Sequence, residues 1–237
     1  MAEDPQLNPA LDQAAIAAAF VRSGRVHIPA ILTQASALRL HRCLERETQF
    51  SIVTRKDDGY VRLRPDAVLS PQQQTELIRG AYRKARDGFH YLFDNHPMSN
   101  DGEPYPDSSH YLATVTRFLN SVPFLTFVRG VTGSSAIAFT EAQATRYSAG
   151  HFLNQHDDSH GKHGRIAAYV LNMTPNWRWD WGGALLFSDR PGHISEGFLP
   201  AFNALNIFAV PQEHLVSFVT PFAGAPRYSI TGWFRSH

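Results

Sequence analysis

Apolar residues recur at helical spacing along the first half of the chain and gather into short runs along the second. Leu11, Ile16, Ala19 and Phe20 predict a helix over 11–23 that Gly24 ends. Val26-His27-Ile28-Pro29 reads as a strand. Thr33 is placed to cap a helix over 34–49 that carries Leu38, Cys43 and Leu44. Ser51 to Pro65 is polar and basic around Asp57-Asp58-Gly59, a hairpin signal. It reads either as a solvated hairpin or as a flap over an active-site mouth. Ser70 followed by Pro71 starts a long helix expected over 71–94, with Leu77, Tyr82, Ala85 and Phe89 along it. Turn formers fill 94–108, and a further helix is expected over 109–121, with a separate turn past Pro123.

From 136 onward the apolar runs are short and divided by Gly, Pro, Asn and Asp. The expected strands are 136–147, 151–156, 165–172, 183–188, 205–210, 214–221 and 227–235. The fold class this predicts is α+β, mainly β: a double-stranded β-helix (jelly roll) with N-terminal helices packed on one sheet. The chain is expected to form one domain over 1–237, with a helix-rich part to 135 and the jelly-roll core from 136.

Composition narrows the chemistry. Hydrophobic residues make up 43%, enough for a large core, and the net charge of +1 carries no nucleic-acid footprint. The single cysteine, Cys43, excludes an intramolecular disulfide and a cysteine-cluster metal site, so a metal here must use His and carboxylate. No signal-peptide pattern or membrane-length apolar run is found, and a cytoplasmic protein with no membrane partner is expected.

His156-Asp157-Asp158 lies in a strand-like, aromatic-flanked stretch that begins at Tyr147. Residues i and i+2 of a strand share a face, so His156 and Asp158 can ligate one metal, while Asp157 points away. His214 opens a later apolar strand and is the candidate third ligand; its alternative is an edge histidine near a turn. Two His and one carboxylate on one face of an octahedron leave three positions open, as in non-haem Fe(II) oxygenases. Twelve histidines make chance pairs common, and His41, His151, His160, His163 and His193 have no spacing that argues for ligation. Thirteen residues after His214, Arg227 and Ser229 share a face of an apolar strand. A buried guanidinium needs an anion, either a bound carboxylate or a Glu of the chain.

These elements in this order resemble the Fe(II)- and 2-oxoglutarate-dependent dioxygenases. Tyr147-x-x-Gly150 ahead of His156-x-Asp158 is similar to prolyl 4-hydroxylases. His156-Asp157-Asp158, Gly182-Gly183-Ala184-Leu185 and Arg227-Tyr228-Ser229-Ile230-Thr231-Gly232-Trp233-Phe234 resemble the ribosomal-protein prolyl hydroxylase branch. The resemblance covers about residues 137–235. It implies Fe(II) held by His156, Asp158 and His214, and 2-oxoglutarate bound through Arg227 with help from Ser229. O2 would be the second cosubstrate and ascorbate an optional reductant. It implies hydroxylation of a prolyl residue in a protein, coupled to decarboxylation of 2-oxoglutarate to succinate and CO2. Such enzymes offer a strand tyrosine to the cosubstrate. Tyr169 is offset from that place by one or two positions, which turns it to the other face, so Tyr147 is the better candidate. Trp233 matches an aromatic residue near the substrate mouth and also suits core packing.

Two alternatives stand beside this reading. One keeps the chemistry and changes the substrate to a free amino acid or small metabolite. The other is a non-catalytic jelly roll whose histidines are structural or hold Zn(II). The basic segment 51–65 and the cluster Trp177-Arg178-Trp179-Asp180-Trp181 favour a protein or peptide partner. Nucleic-acid demethylases of the AlkB type carry a second arginine where this chain has Trp233.

Overall fold

The computed structural model describes residues 4–56, 59–64, 67, 69–99, 105, 107–159 and 164–236. Helix α1 (Gln13–Ser23) starts where the Asp12 carboxylate accepts from the Ala15 N–H and stops at Gly24, whose φ of 69° suits glycine. Thr33 caps α2 (Gln34–Arg42), which widens into a π-turn over Cys43–Glu47. A reciprocal capping box between Ser70 and Gln73 begins α3 (Pro71–Asp87). Helices α4 (Tyr111–Leu119) and α5 (Val122–Thr132) follow.

Two helical expectations are corrected. The helix expected over 71–94 ends at Asp87, and Tyr91–Pro97 is a strand rather than helix and loop. Its alternate residues Tyr91, Phe93 and Asn95 face one way, and ladder bonds to three neighbouring strands outweigh the local helical spacing. The turn expected past Pro123 is a full helix, α5, because Phe124, Phe127, Val128 and Val131 make one buried face. Within the expected loop, 100–104 and 106 lie outside the described residues, as do the hairpin residues Asp57 and Asp58.

The strands are β1 (Arg25–Ile28), β2 (Ser51–Lys56), β3 (Gly59–Leu63), β4 (Tyr91–Pro97), β5 (Phe139–Thr140), β6 (Gln143–Tyr147), β7 (Phe152–His156), β8 (Arg165–Asn172), β9 (Leu185–Phe187), β10 (Glu196–Phe198), β11 (Ala204–Ala209), β12 (His214–Val216) and β13 (Arg227–Arg235). They pair antiparallel in the order β1-β11-β8-β13-β6-β4-β7-β12-β9-β10, with β2 and β3 continuing from β4 and β5 beside the end of β13. The run expected over 136–147 is broken into β5 and β6. The run expected over 214–221 stops at Val216, and β10 had no counterpart in the sequence reading. Strand β4 makes the corner: residues 94–97 pair with β6, while Tyr91 and Leu92 pair with β7. The sheet thus folds into two layers. Its ends are tied by Arg25 on β1 and Glu196 on β10, 2.6 Å apart. This nearly closed sheet is the double-stranded β-helix that the sequence predicts, and β1–β4 from the helix-rich part belong to it.

Period-two alternation sorts the side chains of the first layer. Tyr228, Ile230 and Phe234 of β13, with Tyr169 and Leu171 of β8, face outward onto Leu40, Leu112, Val128 and their neighbours in α2, α4 and α5. Burying each large apolar side chain there contributes roughly 1.5–3 kcal/mol. The opposite residues, Arg227, Thr231 and Trp233 of β13 and Ala168 and Val170 of β8, face into the fold and line a cleft. Among the described residues no helix is long and apolar enough to cross a membrane.

Candidate metal centre and cosubstrate cleft

The cleft has a volume of about 1300 Å³ and lies between the two layers. His156 ends β7 and His214 begins β12, and the two are register partners across the ladder. Their rings lie 4.1 Å apart, centroid to centroid. Asp158 completes the group: its carboxylate oxygens lie 3.6 Å from His156 Nε2 and 3.7 Å from His214 Nε2. One ligand atom from each residue falls within 4.8 Å of the others.

Asp158 does not reach this place as a strand neighbour of His156. Strand β7 ends at His156, and Asp158 has a left-handed backbone with φ 61°. The turn carries its carboxylate back over the histidines, so the pairing rests on a backbone reversal rather than on the strand period. Asp157 accepts from the N–H and hydroxyl of Ser159. His160 and His163 lie outside the described residues.

The donor set fits a divalent iron ion. His156 Nδ1 donates to the Asn154 carbonyl at 3.0 Å, and His214 Nδ1 donates to the Gln212 carbonyl at 2.8 Å. A carbonyl only accepts, so each Nδ1 carries the proton and each Nε2 presents a lone pair to the shared centre. Burial holds the His214 imidazole neutral, lowering its pKa to about 4. Two imidazoles and one carboxylate make a mixed nitrogen–oxygen set suited to iron.

Arg227 lies in the same cleft, only 1% exposed. Its Nη2 donates to Asn172 Oδ1 at 3.3 Å, and its Nε finds no partner. The guanidinium carbon lies 5.1 Å from the Tyr147 ring centroid. No carboxylate pairs with Arg227 among the described residues. Desolvation pushes its pKa down to about 10, a sign of how costly the unpaired cation is. Gly183 lets this packing occur, since a Cβ there would stand 3.3 Å from Trp177 and 3.4 Å from Arg227 Cδ.

The other predicted residues take distinct places. Tyr147 is buried in the cleft wall, stacked on Phe93 at 5.1 Å. Tyr169 stands on the opposite face of β8, where its hydroxyl donates to the Glu141 carbonyl and its ring stacks on Phe234. Ser229 exchanges a hydroxyl hydrogen bond of 2.8 Å with Thr145, its register partner on β6. Trp233 lines the cleft beneath the Arg165 guanidinium, 3.7 Å from its ring centroid. The flap reading of segment 51–65 has a counterpart in Arg55, Tyr60 and Arg62, which border the cleft from β2 and β3. Of the tryptophan cluster, Trp177 folds inward and bonds the Gly182 carbonyl, while Trp179 stays exposed.

Asn172 and Arg165 were passed over by the sequence reading. The signal for Asn172 was present: a polar residue two positions beyond Val170 on a strand with an apolar inner face. For Arg165 there was none beyond its position at the start of β8.

Comparison with known proteins agrees with this geometry. Residues 142–235 match the 2OG-Fe(II) oxygenase superfamily. The prolyl 3-hydroxylase OGFOD1 of Mus musculus is 26% identical over 166 residues, covering 67% of this chain and 29% of that protein. The chain thus spans under a third of that relative's length. A 2OG-Fe(II) oxygenase family oxidoreductase from Burkholderia pseudomallei shares the fold with a TM-score of 0.66 at 14% identity, covering 100% of this chain and 97% of the other. A Trichoplax adhaerens prolyl hydroxylase, solved with a peptide of the hypoxia inducible factor oxygen degradation domain, has a TM-score of 0.58 at 18% identity, covering 94% and 89%. The resemblance to 2-oxoglutarate- and Fe(II)-dependent oxygenases, and among them to prolyl hydroxylases, is borne out.

Proposed function

We propose that this protein is an Fe(II)- and 2-oxoglutarate-dependent dioxygenase that hydroxylates a prolyl residue in a polypeptide. The observation that carries the reading is Arg227, a buried guanidinium without a carboxylate partner among the described residues, in the cleft that holds His156, Asp158 and His214. A dicarboxylate supplies the missing anion.

In this reading His156 and His214 present Nε2, and Asp158 its carboxylate, to the ion. Arg227 takes the distal carboxylate of 2-oxoglutarate, flanked by Tyr147. Ser229 acts by fixing Thr145 in the cleft wall, and Tyr169 by packing behind it. Ala168, Val170, Leu185 and Phe208 keep the inner cleft apolar and exclude bulk water. When bound, iron with 2-oxoglutarate and O2 supplies the oxidising power, yielding succinate and CO2 and placing one oxygen atom in a substrate C–H bond. Trp233 and Arg165 stand on the substrate side.

A polypeptide substrate is supported by the size of the cleft, which exceeds the usual range for small-ligand pockets. The bordering β2–β3 hairpin and the two prolyl hydroxylase relatives support it further.

Iron- and O2-dependent release of succinate from 2-oxoglutarate tests the activity, and His156→Ala and Asp158→Ala should abolish it. Metal-loaded protein that neither binds nor turns over 2-oxoglutarate would overturn the proposal. Mass spectrometry of cellular proteins, with active and inactive enzyme, should reveal a gain of one oxygen on a prolyl residue. Oxidation of free amino acids alone would move the assignment to a small-molecule substrate.

A further inference from the structure

The two histidines of the centre are held by the same device. Each directs Nδ1–H to the carbonyl of the residue two positions earlier, Asn154 or Gln212. Both of those residues are amides, and both side chains reach away from the centre to a distant element. Asn154 Nδ2 donates to the Ala85 carbonyl at 3.2 Å and the Gly88 carbonyl at 2.7 Å, and its Oδ1 accepts from the His90 N–H at 2.7 Å. This ties β7 to the C-terminus of α3 and to the start of β4. Gln212 Nε2 donates to the Gly24 carbonyl at 3.0 Å and the Ser23 carbonyl at 3.3 Å, and its Oε1 accepts from Arg25 Nη1 at 3.1 Å. This ties the β11–β12 turn to the end of α1 and the start of β1.

Such tethers matter here because the ladder is irregular around these residues. His214 pairs with His156 and Val216 with Leu153, so three steps on β7 face two on β12. The extra residue bulges β7 between Leu153 and His156, and bulges re-aim the side chains beside them. Beyond Leu153, β7 keeps a single backbone bond to the start of β4, from the Asn154 N–H to the His90 carbonyl at 3.1 Å. Gln212 sits in the turn before β12 and takes part in no strand pairing. Without its amide, the Asn154 carbonyl would rest on that one backbone bond beside a bulge, and the Gln212 carbonyl on a turn outside the sheet. Gly24 leaves room for the second tether, since a Cβ there would come within 2.6 Å of Gln212 Nε2.

We propose that Asn154 and Gln212 are positioning residues of the metal centre: their side chains anchor the carbonyls that orient His156 and His214. The inference rests on the metal-binding reading given above. The test compares full-length wild type with Asn154→Ala and Gln212→Ala, all metal-free, by calorimetric titration with Co(II), the visible spectrum of the Co(II) protein and thermal melting. We expect metal-free variants that fold, bind Co(II) about 10–100-fold more weakly and show a changed ligand-field spectrum. Their turnover of 2-oxoglutarate should recover as Fe(II) is raised, a rescue that mere loss of folding would not give. Folded variants that bind Co(II) within twofold of wild type, with the same spectrum, would overturn the proposal. Should Asn154→Ala fail to fold, Gln212→Ala on its turn decides the matter by the same criteria. Wild-type protein that takes up no Co(II) would overturn the functional reading itself. Tight binding by wild type and variants alike would overturn only the positioning role.

Discussion

Arg227 and Tyr147 face each other across the β6–β13 ladder, with the guanidinium carbon 5.1 Å from the phenol ring centroid. The ring gives the cation a polarisable surface but no counter-charge, so the pair is stable in structure and incomplete in charge. A ligand carboxylate would complete it.

Replacing Arg227 therefore separates binding from folding. Arg227→Met removes a buried, unpaired charge and keeps much of the side-chain volume. Its thermal stability without ligand is expected to equal or exceed wild type. Its 2-oxoglutarate affinity should fall by at least about 3 kcal/mol, roughly 100-fold or more, because a buried charge pair is lost. Unchanged affinity in a titration would refute the assignment.

The two tyrosines should respond in opposite ways. Tyr169→Phe leaves the Glu141 carbonyl without its donor and should cost about 1 kcal/mol of stability, with 2-oxoglutarate binding unchanged. Tyr147→Phe should leave the melt nearly unchanged and weaken 2-oxoglutarate binding several-fold. Thermal melts and ligand titrations on both variants check this, and the reverse pattern would assign the contact to Tyr169.

Cys43 offers a pH prediction. It is fully buried, and burial pushes its thiol from 9.0 up to about 11. An acid whose folded pKa is raised favours folding while it is neutral. That contribution is fully present below about pH 9 and lost as pH climbs through about 11. Alkylation at pH 8 should be slow in the native protein and fast in urea, followed by the mass of the single adduct. Equal rates would show that Cys43 is accessible.

Gly232→Ala should be among the most damaging small substitutions in β13. A Cβ there would overlap the Glu141 carbonyl oxygen and press on Tyr169. Neither the backbone nor the buried ring can yield cheaply, and a loss of about 3 kcal/mol or more is expected. A melting temperature within a degree of wild type would contradict the packing described here.

How much of this was legible beforehand depends on the range of the forces involved. Strand β8 was read with its observed limits, 165–172, because its apolar run is bounded by turn residues and its pairing follows its own pattern. The displacement of Tyr169 to the far face was also legible, from the place the resemblance gives a strand tyrosine together with the two-residue period. Strand β4 was not: Tyr82, Ala85 and Phe89 continue a helical spacing locally, and only the neighbouring β2, β6 and β7 draw 91–97 into a sheet.

The sequence by itself determined which residue types could meet: His156 and Asp158 with a distant His214, and an arginine in need of an anion. It could do so because ligand chemistry and buried charge restrict residue identity wherever the chain goes. Only the tertiary structure decided how they meet. Asp158 reaches the centre by a left-handed turn instead of a strand step, and Arg227 is left without a carboxylate. The carbonyls that orient the histidines are held by Asn154 and Gln212 through contacts with α3 and the α1–β1 turn. These outcomes depend on hydrogen bonds between segments far apart in sequence, and local pattern carries no record of such partners until the sheet has closed.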